Sequence, residues 1–384
     1  MTTACLAPNG MNVYRGSGAA TRLLVGTAKG VAVLERAAGQ DWRHTTTLLE
    51  GNHISSMVME PTRNGLFAGV HRGTVFYSAD LGQSWEPRNT GISINHVYSL
   101  VYAIEGGKPI VYAGTEPPGV FRTRDEGKSW DELPGWRDMP GQDKWVFPMP
   151  PHVPHAKTMA VDPRDPKVFY VGVEQAGLFA TRDGGQSWRE LDSYSKPDDD
   201  SYRDVHSIVL RPNHPDELYM TTGMGLYQSK DRGETWGHLT YRNTFRIGYP
   251  DKLIFSPRDD RTMFIAGSHA NPGTWIKLHT ANAAVMVSHD VGETWSLATK
   301  GMPDPLTANL EAMCLYDAGD KFELFAGTTD GKVYCSDDGA ENWRQIAGDI
   351  APVSKVEHYR LLLPGAMSSR GNRPPGAGGP PAAH

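Results

Sequence analysis

The residues best suited to chemistry are histidines that recur at one kind of place. Among the fourteen histidines, several stand at the start of a short apolar run. His53 precedes Ile54 to Met59, His96 precedes Val97, and His155 precedes Ala156. His206 lies in Val205 to Leu210, two positions out of step, and His358 lies in Val356 to Leu363. Where a run lacks histidine it has Glu311, or Tyr249 and Asp251. A second position, in the loop after the next run, carries His71, Glu116, Glu174, Met224 and Asp330. Its longest version holds His269, Trp275 and His279. Neutral imidazoles backed by carboxylates are metal-site chemistry. The expected ligands are His53, His96, His155 and His206. Glu116, Glu174, His71, Glu311 and His358 are outer-sphere partners or alternative ligands. Fe, Cu, Zn and Mn all fit: an all-nitrogen set favours Fe or Cu, and a His/Glu mixture allows Zn or Mn. The competing reading is a polar lining without metal.

What could bring such residues together is a repeat. Trp42, Trp85, Trp130, Trp188, Trp236, Trp295 and Trp343 are spaced 43, 45, 58, 48, 59 and 48 residues apart. Five of them end the motif Ser/Thr-x-Asp-x-Gly-x-Ser/Thr-Trp, as in Ser78 to Trp85 and Thr181 to Trp188. Ser336 to Trp343 keeps Asp338 but replaces the glycine with Ala340. Upstream of the motif, β-branched and aromatic runs broken by glycine recur, as in Phe169-Tyr-Val-Gly-Val then Gly177-Leu-Phe. These are strands. Four antiparallel strands per repeat, repeated seven times, predict an all-β, seven-bladed β-propeller. The histidines would then surround one mouth of its central channel.

The motif resembles the Asp-box, or BNR repeat, of sialidase-like propellers, of the photosystem II assembly factor family and of sortilin-type domains. The resemblance spans residues 21 to 363. It implies a structural role at the blade edge for Asp80, Asp125, Asp183, Asp231, Asp290 and Asp338. The histidine layout is similar to that of carotenoid-cleavage oxygenases, in arrangement and not in sequence.

The first repeat begins at Leu23 without an opening strand, and residues 355 to 363 read as an opening strand with no blade behind it. The C-terminal strand is therefore expected to close the ring. Residues 1 to 20 are expected to be loose, and the Gly/Pro/Ala-rich stretch 364 to 384 to be disordered. The insertion from Pro134 to Pro154 is either a lid over the mouth or a loop packed on the blades; as a lid it would wall a pocket with Trp136, Trp145 and Trp275. The acidic stretch Asp192 to Asp204 reads as a solvated loop.

A net charge of −6 without a basic cluster argues against nucleic acid. No apolar run is long enough to span a membrane. Three cysteines form no metal or redox spacing. Met1-Thr-Thr-Ala-Cys lacks a leader pattern, so a cytoplasmic location is expected. These features point first to a metal-dependent enzyme acting on a small organic molecule by hydrolysis, lyase or oxygenase chemistry. The alternative is a scaffold that binds a protein partner, resembling the photosystem II assembly factor. A glycoside hydrolase is the minor alternative, since the arginine, tyrosine and acid pattern of sialidases is missing.

Overall fold

Seven sheets of mostly antiparallel strands follow one another around a ring. The structure is a computed structural model and describes residues 2–37, 39–145, 153–196 and 200–362; the tail expected at 364 to 384 lies outside them. Blade four shows the plan: His155–Val161 innermost, then Phe169–Glu174, Gly177–Thr181 and Arg189–Glu190, each antiparallel to the last. The inner strands of blades two, three, five, six and seven are Ile54–Met59, Val97–Glu105, Val205–Arg211, Tyr249–Phe255 and Leu310–Asp317. Among the described residues no helix is long and apolar enough to cross a membrane.

The motif tryptophans explain the spacing of the blades. Trp130 of blade three meets Phe67 of blade two edge-on, at 6.3 Å between ring centroids. Its indole nitrogen donates to the carbonyl of Arg88 at 2.8 Å. Such aromatic contacts fill the wedge between twisted sheets while satisfying the one polar atom they bury.

Each of the six inner strands slips register at the same place, near its start. The residues at the slip are Ser55, Tyr98, Lys157, His206, Asp251 and Glu311, and all are buried. A bulge of this kind re-aims a side chain and bends the strand. Two positions earlier stand His53, His96, His155, Asp204, Tyr249 and Asn309. His206 therefore belongs to the bulge tier, and Asp204 is the counterpart of the other three histidines.

The ring closes differently from the expectation. Thr3–Leu6 is the innermost strand of blade one and pairs parallel with Arg22–Thr27. Asn9–Gly10 adds to the inner strand of blade two, and Val13–Arg15 to that of blade seven, both in parallel. Of residues 1 to 20, the described ones, 2–20, are thus not loose. Ala4, Cys5, Leu6 and Tyr14 are fully buried, which supplies the hydrophobic reason. The C-terminal segment is not a strand either: Glu357–Leu362 forms 3-10 turns. Val356 is its lone β-branched residue, and leucine and charged residues favour helical geometry. That end gives blade one a single backbone bond, from the Ala28 amide to the Pro352 carbonyl at 2.8 Å. Arg36 and Glu323 form an ion pair across the seam, and Trp42 packs edge-on to Phe325 at 5.7 Å.

Candidate functional site at the channel mouth

The box aspartates lie on the outer rim, away from the channel. Asp183 shows their chemistry. Its Oδ1 accepts from the Thr181 hydroxyl at 2.8 Å and from the amides of Gln186 and Ser187 at 2.9 and 3.0 Å. Its Oδ2 accepts from the Ser187 hydroxyl at 2.5 Å. Partial burial opposes the charge, but these donors hold the carboxyl down at about 2. In the sixth box Ala340 adopts the left-handed φ of 71° that glycine supplies elsewhere.

The mouth is built from longer-range pairs. On one side runs an arc across blades four to two. Lys157 Nζ lies 3.0 Å from Glu174 Oε2, and the same oxygen accepts from His155 Nε2 at 2.5 Å. His155 Nδ1 faces the Val153 carbonyl at 3.0 Å and Glu116 Oε2 at 3.4 Å. Glu116 Oε1 lies 3.5 Å from His96 Nδ1. The rings of His96 and His71 are 5.8 Å apart, and those of His71 and His53 are 5.3 Å apart. His53 Nε2 ends the arc 2.6 Å from the Ser354 carbonyl.

On the other side the C-terminal segment enters the network. Lys355 Nζ is paired with Asp251, whose second oxygen accepts from Asn309 at 2.8 Å. Glu311 Oε2 accepts from the Ser354 hydroxyl and the Lys355 amide, both at 2.9 Å. Its other oxygen meets His358 Nδ1 at 3.2 Å. His206 Nδ1 lies 2.8 Å from the Pro250 carbonyl, and its Nε2 lies 3.1 Å from Asp204.

The electrostatics follow from these contacts. Burial works against the charge on Glu174, yet Lys157 and His155 hold it well below the usual range. Burial also works against protonated His155, and Glu174 and Glu116 outweigh it, so its pKa is raised. Lys157 moves down even though its partner Glu174 stays charged. The difference has a cause: Glu174 has two cations beside it, whereas Lys157 has burial and the Lys355 ammonium against it. Burial would strip the proton from Lys355, but Asp251, Glu311 and Glu174 hold it well above its ordinary value. His71 is pushed the other way, to about 4, by burial and by the neighbouring His53.

The four expected ligands do not converge. Both nitrogens of His155 face oxygen acceptors and must carry protons, and an imidazolium has no lone pair for a metal. His53 and His96 lie along the arc. Among the described residues, the one group of three or more whose ligand atoms lie within 4.8 Å of one another is Glu174, Asp204 and His206. An ammonium already sits 3.0 Å from its Glu174 oxygen. The expected pocket wall is also dispersed. Trp136 is buried against Phe179 and Trp188 in the core between blades, and Trp145 packs on it at 5.9 Å. The described part of the insertion is therefore packed on the blades, and residues 146–152 lie outside the described residues. Trp275 does stand at the mouth, edge-on to His358 at 6.1 Å, but its indole is buried. Lys157, Lys355, Asp204 and Asn309 were not foreseen. The available signal was a lysine inside the apolar run Ala156 to Val161.

The fold is a seven-bladed β-propeller with a repeated Ser/Thr-x-Asp-x-Gly-x-Ser/Thr-Trp motif on its rim. The family described as "Sortilin, neurotensin receptor 3" matches residues 176–305. A xyloglucanase of Paenibacillus sp is 23% identical over 232 residues, covering 51% of this chain and 21% of that protein. An oligoxyloglucan-reducing end-specific xyloglucanase of Emericella nidulans is 24% identical over 198 residues, covering 48% and 23%. The chain thus spans about a quarter or less of the length of these curated relatives. Among solved structures, a GH74 xyloglucanase from Xanthomonas campestris superposes with a TM-score of 0.57 at 15% identity, covering 78% of this chain and 46% of that one. YCF48 bound to D1 peptide gives 0.51 at 16% identity, covering 78% and 84%.

Proposed function

We propose that the chain is a recognition propeller that binds a polypeptide partner through the polar loops of its mouth face and performs no chemistry there. The observation that supports this most is the saturation of the mouth. Glu174, Asp251 and Glu311 are buried and already engaged by Lys157, Lys355 and Ser354. Glycoside hydrolysis needs two carboxylates placed across a substrate bond. Here the channel carboxylates neutralise the protein's own cations instead. YCF48 is matched over most of its length and was seen with a peptide, which adds support for the polypeptide class of partner.

A second reading has one specific observation behind it. Glu174, Asp204 and His206 could hold a divalent ion if Lys157 moved away, and a mixed carboxylate–imidazole set would suit Zn or Mn. Elemental analysis of tag-free protein separates the two. The recognition reading expects well under one equivalent of any transition metal, unchanged by His206→Ala. It further expects that changing exposed Asp192 and Ser193 abolishes capture of a cross-linked partner, while His96→Ala preserves it. One equivalent of metal, lost in His206→Ala, would overturn it in favour of the second reading.

A further inference from the structure

Behind the saturated mouth the channel is not full. A cavity of about 500 Å³ lies against the inner strands of blades three, four and five and the N-terminal segment Ala7 to Val13. Its lining is mixed: Leu100, Met159, Val161, Val209 and Met313 supply apolar surface, and Ser99, Thr158 and Lys252 supply polar atoms. It reaches the strand ends at Ile104, which is exposed, and at Pro163 and Pro212. This size and lining suit a small organic ligand.

One residue of the lining breaks the pattern of the blades. The position just after the bulge is Ser56, Ser99, Thr158, Ser207 and Ala312 in five blades, and Lys252 in blade six. Lys252 lines the cavity. The other charged groups that line it are partnered: Lys157 with Glu174 at 3.0 Å, Asp162 with Arg164 at 2.7 Å, and Arg211 with Glu217 at 3.0 Å. Among the described residues the Lys252 side chain has neither a hydrogen bond nor an ion pair. Lys252 is partly buried, and an ammonium drawn partly out of water without an anion is costly. Its surroundings agree. Burial pulls its pKa down to about 7; Lys355 and Lys157 add to this, and Asp251 and Glu311 offset it only in part. An arriving anion would relieve that cost.

We propose that this cavity binds a small monocarboxylate with an apolar body, its carboxylate paired with the Lys252 ammonium. The apolar part of the lining takes the body, and Lys252, unpaired among the described residues, supplies the charge. The site goes beyond the mouth face and uses none of its loops.

The test is calorimetric titration of the full chain with sodium decanoate, with 1-decanol as the uncharged control. Decanoate should bind more tightly than decanol. Lys252→Met should weaken decanoate by at least about ten-fold and leave decanol unchanged, because about 1.4 kcal/mol separates ten-fold affinities. Lys252→Arg should retain decanoate. Lys252→Met removes an unpaired, partly buried amine, so its melting temperature should hold or rise. Met159→Trp, which fills the cavity, should block both probes. Equal affinity of wild type and Lys252→Met for decanoate, or undiminished binding to Met159→Trp, would overturn the proposal.

Discussion

Asp183 on the rim and Asp251 at the mouth are both carboxylates held ionised, and their surroundings have little else in common. Asp183 takes all its donors from residues within four positions along the chain. Asp251 is fully buried and depends on Lys355, 104 positions away, and on Asn309, 58 positions away. The rim device is local and can be copied from blade to blade. The mouth device draws different residues from blades two to seven and cannot be copied. A local motif stabilises one turn, whereas the distributed network ties blades five, six and seven and the C-terminal segment into one electrostatic unit.

The sharpest test of this contrast is the loss of one partner at each place. Asp251→Asn leaves Lys355 buried beside a neutral amide and should cost about 3–5 kcal/mol. The double variant Asp251→Leu with Lys355→Met should recover most of that, since both charges then leave together. Chemical denaturation of the three proteins measures it, and a cost no larger than that of a rim aspartate would end the comparison. At the rim, Asp183→Ala frees two amides that water can reach and should cost about 1–2 kcal/mol. His96→Ala, at a partly exposed point in the middle of the arc, should cost no more than about 0.5 kcal/mol.

Acid should separate the two regions as well. His71 has a folded pKa of about 4, below the ordinary 6.5. Its neutral form is favoured by the fold, so its contribution is complete above 6.5 and is lost as pH falls from there to 4. Asp80, Asp183 and Asp290 have folded values of about 2 against an ordinary 3.8. Their contribution is complete above 3.8 and is lost as pH falls through 2. Melting temperature against pH should therefore decline in two stages, and His71→Gln should flatten the upper one only. A single stage would mean that the mouth imidazoles titrate like free ones.

The same contrast explains what could be read from the sequence. Repeated motifs have their partners within one line of text, so blade number, strand order and rim followed from the tryptophans and boxes. The strand-start histidines were also visible, because each occupies a similar place in its repeat. What they do was not, because Lys157 and Glu174 of blade four work together with Lys355 from the far end of the chain. His206 was grouped with His53, His96 and His155 although it stands two positions out of step, and that offset is the tier difference the bulge creates. Ring closure was misread for a related reason. Thr3–Leu6, Asn9–Gly10 and Val13–Arg15 pair in parallel with strands they do not neighbour, so no hairpin signal announces them.

That N-terminal segment also constrains the order of events in folding. Its residues precede every blade in chain order, yet Val13 finds its partner only at Leu315, on the last of the seven blades. Until then Tyr14 and its neighbours have no sheet to join, and blade seven lacks one of its five strands. The segment threads one end of the chain through blades one, two and seven, so partial rings gain little by closing early. The expected outcome is a molecule that assembles late and all at once, with slow, non-local pairing as its final step.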